Sequence, residues 1–204
     1  MEFLPAPDRP DPPAAEVHVW RADLDRPRWP GAEGLPEDER RRAEAFLRPL
    51  PQKRWIAARW ALRAALGRYL GQPPAAIRLV AGEHGKPRLE RLAGGLAFNL
   101  SHSDRLALIA VAAGHEVGVD VERVAGKHPQ GFYERWTEHE ARVKCLGVGL
   151  TGVAPGAGPE IEVRRLDLGA EFAASVAAAS AVGAVRGWTL DPPHRRPVLG
   201  VSYF

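Results

Sequence analysis

A single cysteine, Cys145, stands in the whole chain, which excludes an intrachain disulfide framework and fits a reducing compartment. No uninterrupted apolar run approaches the roughly 18 residues that a membrane-spanning helix needs. The first thirteen residues are acidic and proline-rich and lack the basic and apolar regions of a signal peptide. A cytoplasmic protein with no membrane partner is therefore expected. Charge of one sign is also scarce: 28 Lys and Arg against 25 Asp and Glu leave a formal net charge of +3. That surplus is too small to argue for nucleic acid, and it suits a small polyanionic ligand or an acidic partner protein. Aromatic residues make up 7% and do not interleave with the basic ones, which removes the stacking platform of a nucleic-acid binder.

What is present fits a soluble globular chain of 204 residues, 45% hydrophobic and 26% charged, long enough to bury a sizeable core. Residues 1–15 hold five prolines and read as a flexible arm. Val17, Val19 and Trp20 suggest a short strand. Helical periodicity follows over Glu37–Phe46 and Gln52–Tyr69, with Pro73 and Pro74 as the stop. Strands are expected at Ile77–Ala81, Leu96–Leu100, Leu106–Ala113 and Val117–Val121, then a helix starting at Phe132 or Trp136 and ending at Leu146. Ile161–Leu168, Ala173–Ala178, Gly183–Leu190 and Val198–Tyr203 read as closing strands. This order predicts an α+β chain of two rough halves, 16–115 and 116–204, joined near Gly114.

Asp120 and Glu122 stand two apart in a strand pattern, Gly118-Val119-Asp120-Val121-Glu122. Side chains at i and i+2 of a strand share a side, so these carboxylates converge while Val119 and Val121 pack the other way. Two such charges repel unless one is protonated or a cation lies between them. With no histidine or cysteine beside them, oxygen-only ligands favour Mg²⁺ over zinc. Acids at a strand end that simply face water are the alternative. Trp136, Glu140 and Lys144 lie at i, i+4 and i+8, one face of a helix, where a carboxylate and an ammonium one turn apart can hold a metal and a phosphate. Thr137-x-x-Glu140 also reads as a capping box. In Phe98-Asn99-Leu100-Ser101-His102-Ser103, three small polar groups at a strand end can donate to a phosphate or merely form a turn. Lys86 sits in a rigid Gly85-Lys86-Pro87 turn. Arg40, Arg41, Arg42, Arg48, Lys53 and Arg54 cluster at the first helix junction, as an anion site or a solvated face.

The order of these motifs, with Gly147-x-Gly149-Leu150 after Lys144 and Leu35-Pro36-x-x-Glu39-Arg40 upstream, resembles the Sfp-type 4'-phosphopantetheinyl transferases over roughly residues 17–190. The resemblance implies two pseudo-twofold-related α+β halves with coenzyme A in the cleft between them. Residues 16–115 would bind coenzyme A, and 116–204 would carry the metal and catalytic motifs. It implies that Asp120, Glu122 and Glu140 bind Mg²⁺. Lys144 and His102, with Ser101, would meet the coenzyme A phosphates, and Lys86, Arg54 and Arg42 would hold the adenylate end. Glu140 and Lys144 would be catalytic, and the partner an apo acyl carrier protein or peptidyl carrier domain whose serine receives the phosphopantetheine arm. An internally duplicated chain can build the whole cleft by itself, so a monomer is expected. Two departures stand out. Only the 13 residues 123–135 separate Glu122 from Trp136, where larger family members carry a longer Phe-x-x-x-Glu segment, and His139 replaces the usual lysine. The rival readings are a degenerate relative that binds coenzyme A without efficient transfer, and a basic nucleic-acid-binding protein.

Overall fold

Eight successive apolar residues, Leu106–Ala113, form a strand both of whose faces are covered, and the fold is arranged around it. The computed structural model describes residues 1–11, 16–82, 86–90, 95–126, 128–147, 160–179 and 183–192. The strand expected at Val198–Tyr203 and the motif residues Gly85, Gly149 and Leu150 lie outside them. Strand β6 (Leu106–Ala113) belongs to a five-stranded sheet. Its order is β1 (Phe3–Pro5), β10 (Ala184–Leu190), β2 (Glu16–Asp23), β6, β5 (Leu96–Ser103), and β3 (Leu79–Ala81) and β4 (Pro87–Leu89) form a separate antiparallel pair. The β1–β10 and β10–β2 pairs are parallel, and β2–β6 and β6–β5 are antiparallel. Ala107, Ile109 and Val111 face a long helix, α2 (Pro49–Leu70), and pack on Ala58, Ala61, Leu62, Ala65 and Leu66. Leu106, Leu108, Ala110 and Ala112 face the other way, onto a three-stranded antiparallel sheet of β7 (Val117–Arg123), β9 (Phe172–Ala178) and β8 (Glu162–Asp167). A second helix, α3 (Phe132–Leu146), covers the outer side of that sheet through Ala141 and Cys145. Helix, sheet, sheet, helix is thus the layering, and the α+β expectation holds.

Two sequence readings change. Within the proline-rich arm, Phe3–Pro5 is an edge strand on β10, and Arg68 donates to the Pro7 carbonyl at 2.7 Å. An edge strand tolerates proline because one of its sides needs no donor. Residues Ala184–Leu190, counted with the second half, insert between β1 and β2, so the chain closes its first sheet last. The end of α2 falls within one residue of the expected Tyr69: the helix runs to Leu70, and Gly71 takes a left-handed conformation (φ 63°) and donates to Gly67 O.

A charged group lies inside the α2 layer. Arg63 is fully buried, donates to the Ile77 carbonyl and pairs with Glu39 at 2.9 Å. Arg59 holds the other oxygen of the same carboxylate. Glu39 comes from the short helix α1 (Glu37–Glu44), so this ionic cluster fastens α1 to α2. Among the described residues no helix is long and apolar enough to cross a membrane.

His18 on β2 is also buried, its Nδ1 2.9 Å from the Tyr69 hydroxyl, which accepts from Trp20 Nε1 at 2.8 Å. Loss of hydration lowers the His18 pKa, partly offset by Glu16. The unfolded chain then takes up a proton on acidification before the folded one does, so stability is present above the ordinary imidazole pKa and falls as pH drops below it. In urea titrations between about pH 7.5 and 5.5, a range that brackets that pKa, His18→Gln should lose less stability than the parent chain. Equal losses would place the acid sensitivity elsewhere.

Candidate active site

The alternation that turns Val119 and Val121 into the core between the sheets turns Asp120 and Glu122 toward α3. Asp120 is 2% exposed. Lys144 Nζ lies 2.5 Å from Asp120 Oδ1 and 4.0 Å from Glu140 Oε2, so the i+4 pair of α3 closes over the strand carboxylate. Thr137 fixes the register of α3 on the sheet. Its hydroxyl lies 3.1 Å from Ser175 Oγ and donates to Glu134 O, and Ser175 pairs with Asp120 across β9. The helix begins at Phe132 after Gly131, so Thr137 sits in the second turn and the capping-box alternative falls. Gly118 lets helix and strand approach: a Cβ there would press on the Ala141 carbonyl and the Cys145 amide nitrogen. Burial pushes the Cys145 thiol up to about 11, which makes it a core residue rather than a nucleophile.

The electrostatics favour a cation here. Burial raises the Glu122 pKa, and the Asp120 and Glu140 charges raise it further, against the lowering effects of Ser103 and Lys144. Asp120 Oδ2 and Glu140 Oε1 are buried without a hydrogen-bond partner. Unpartnered carboxylate oxygens are costly away from water, and an oxygen-ligated divalent ion would satisfy both. Among the described residues no trio of Asp, Glu, His and Cys side chains is already drawn together as a metal cage. The ammonium of Lys144 is instead the positive charge bonded to Asp120.

The other expected residues divide. Ser101 is buried and donates to Asp120 Oδ1 at 2.8 Å. His102 reaches solvent, yet loss of hydration lowers its pKa, and the charges of Lys144 and Arg59 add to the effect. Its neighbours are therefore cationic, as an anion-binding surface requires. Arg42 lines a cleft of about 240 Å³ with Arg59, Trp55 and Val80, and the acids Asp38 and Glu39 share it. Lys86 does not point into open solvent. It donates to Glu116 Oε2 (2.7 Å), Lys144 O (2.9 Å) and Val117 O (3.2 Å), tying the turn to β7 and α3. Arg54 is held by Asp25, at 2.7 and 2.9 Å, and by Asp104. This pairing holds the Asp25 carboxyl below its usual range. Arg40 and Arg41 pair with Glu37, the solvated-face outcome. Sequence reasoning passed over Arg59 and Trp55, although they lie one helical turn apart and their i, i+4 spacing marks a shared face. Along α3 the Lys144–Glu140 face continues into Trp136, 42% exposed, which stacks on Phe132, and Phe132 in turn on His128.

The first part of this architecture, residues 18–114, matches the family profile described as "4'-phosphopantetheinyl transferase, N-terminal". The Nostoc protein named 4'-phosphopantetheinyl transferase HetI is 42% identical over 125 residues, 59% of this chain and 53% of that protein. A Synechocystis protein named for the same activity is 31% identical over 165 residues, 67% of each chain. The chain belongs to the 4'-phosphopantetheinyl transferase family. A more distant member, the gsp transferase of Aneurinibacillus migulanus, is 26% identical over 134 residues, 55% of its length. The chain spans little more than half the length of the Nostoc and Aneurinibacillus relatives. The matched profile ends at Gly114, so the carboxylates of this 4'-phosphopantetheinyl transferase family member lie beyond it, and they stand on the geometry above.

Proposed function

We propose that this protein transfers the 4'-phosphopantetheine arm of coenzyme A to a serine of an acyl or peptidyl carrier protein, releasing 3',5'-ADP, as a cytoplasmic monomer of the Sfp type. The observation that carries this reading is the half-buried cluster of Glu122, Glu140 and Lys144 around the buried Asp120, beside His102 and a cleft that Arg42 and Arg59 line, in a chain of this family. Residues 16–115 supply the coenzyme A face and 116–204 the carboxylates, with β10 returning to the first sheet. Asp120, Glu122 and Glu140 hold Mg²⁺, which when bound offsets the negative charge of the pyrophosphate. Lys144 and His102 give the phosphoryl oxygens fixed cationic and donor partners. Arg42, with Arg59 and Trp55, takes the adenylate end in the cleft. Lys86 and Arg54 support that end from their carboxylate and carbonyl contacts. The serine oxygen forms the new bond to the β-phosphorus as the bond to the bridging pyrophosphate oxygen breaks, and the electron pair leaves with 3',5'-ADP. Glu140 is the candidate base for the serine proton, through the carboxylate oxygen that the ion leaves free.

Mass spectrometry of a panel of apo carrier proteins incubated with the protein, coenzyme A and Mg²⁺ tests this directly. A carrier mass gain of one phosphopantetheine, lost with EDTA, is expected. Coenzyme A binding without mass gain on any carrier would instead make the chain a degenerate relative.

A further inference from the structure

One edge of β7 pairs with β9, and its other edge exposes the amides of Val119, Val121 and Arg123 toward β5. Backbone pairing does not join β5 to β7, so the buried amides of Val119 and Val121, and that of Arg123 at the rim, need other acceptors. Side chains supply them. Asn99 Oδ1 accepts from Val119 N at 2.9 Å, Ser101 Oγ from Val121 N at 3.4 Å, and Ser103 Oγ from Arg123 N at 3.1 Å. Every rung spans the same sequence separation, 20 residues, so the two strands run parallel and in register with a period of two. Phe98 and Leu100, the alternate residues of β5, pack toward α2 on the opposite face.

This ladder settles where each hydroxyl proton goes. A serine hydroxyl has one proton, and the amide in front of Ser101 or Ser103 already occupies a lone pair. The proton therefore turns to the carboxylate beside that amide. Ser101 Oγ donates to Asp120 Oδ1 at 2.8 Å, and Ser103 Oγ to Glu122 Oε2 at 2.9 Å. Ser101 also accepts from Lys144 Nζ at 3.4 Å, which saturates it. Asn99 stands beside Gly118, which carries no carboxylate, so its rung joins the strands and nothing more.

We propose that Ser101 and Ser103 are positioning residues, which orient Asp120 and Glu122 through a side-chain ladder that replaces strand pairing between β5 and β7. This rests on the reading that the two carboxylates hold a divalent ion. It moves Ser101 away from phosphate binding, because its hydroxyl has no proton left to offer a phosphate. Groups that orient metal ligands in this way are commonly worth about 10- to 100-fold in metal affinity.

Mn²⁺ binding to the full chain, followed by the loss of the free-ion electron paramagnetic resonance signal, tests the ladder without relying on turnover. Ser103→Ala should weaken Mn²⁺ about tenfold, the low end of that range, and Ser103→Thr, which keeps the hydroxyl, should restore it. Asn99→Ala should lower the melting temperature while leaving Mn²⁺ affinity within about twofold, far inside the range for a ligand-orienting group. In transfer assays Ser103→Ala should raise the Mg²⁺ concentration for half-maximal rate and leave kcat at saturating Mg²⁺ near the parent value. If the parent binds Mn²⁺ and Ser103→Ala binds it equally well, or if threonine fails to rescue, the positioning role is overturned. If the parent chain binds no Mn²⁺, the metal reading itself fails, and the ladder's role in orienting ligands falls with it.

Discussion

Asp120→Asn should cut carrier modification by about three orders of magnitude while leaving the fold largely intact, at the upper end of what one preorganised charge-stabilising group contributes. Asparagine has the shape of aspartate and can still accept from Ser101, so the buried geometry around Oδ1 is kept. The negative charge that faces Lys144 at 2.5 Å is lost. Lys144 then keeps the Glu140 carboxylate, at 4.0 Å, and the Ser101 hydroxyl, at 3.4 Å, and the proposed ligand set loses its most buried anion. Excess Mg²⁺ should restore little of the rate, because the missing ligand is the one beneath the others. The measurement is the rate of holo-carrier formation at saturating coenzyme A, alongside thermal unfolding of the same variant. A variant that keeps a tenth of the parent rate would remove Asp120 from the chemistry. Collapse of activity together with unfolding would show only that the Asp120–Lys144 pair is structural.

The second large effect concerns the fold beneath the site. Gly118→Val should abolish the docking of α3, and Gly118→Ala should cost more than the ordinary range of about 0.5–3 kcal/mol for a point substitution. The atoms that a Cβ would meet, Ala141 O and Cys145 N, belong to the backbone of α3 and cannot swing aside as a side chain tip can. Relief requires the helix to withdraw, which takes Glu140 and Lys144 away from Asp120. Gly114→Ala is the matched control. That glycine has φ 78° and nothing within 4 Å of an added Cβ, so only backbone strain is felt, about 1–2 kcal/mol. Chemical denaturation should rank Gly118→Ala well below Gly114→Ala. Equal stabilities would mean that strand and helix have room to part.

The carboxylate cluster was legible because two short-range rules suffice for it. Period two places Asp120 and Glu122 on one side of a strand, and period 3.6 places Glu140 and Lys144 on one face of a helix. What those rules leave open is which neighbour each polar group meets. Ser101 and Ser103 both read as phosphate donors until β7 lies against β5 and brings Arg123 N and Glu122 to Ser103. Lys86 looks like a presented cation in a rigid turn, yet two backbone carbonyls from distant elements claim its ammonium. Arg54 was singled out from a basic run, and its partners Asp25 and Asp104 lie 29 and 50 positions away, beyond any local pattern. The strand at Phe3–Pro5 was hidden for a similar reason. Its proline content argues for a loose arm, and only the edge offered by β10 makes pairing favourable.

That same β10 has a consequence for how the chain is made. Its place between β1 and β2 is a slot whose walls are made some 160 residues before its filling. From Asp23 to Ala184 some 160 residues must be synthesised, which at about 5–20 residues per second takes roughly 8–30 s. Once β5 and β6 have followed, they cover one side of β2, and its other edge stays unpaired until β10 is made. The nascent chain therefore carries an adhesive margin until β10 arrives, and crowded polysomes are where it is exposed to pairing with a neighbour rather than with itself.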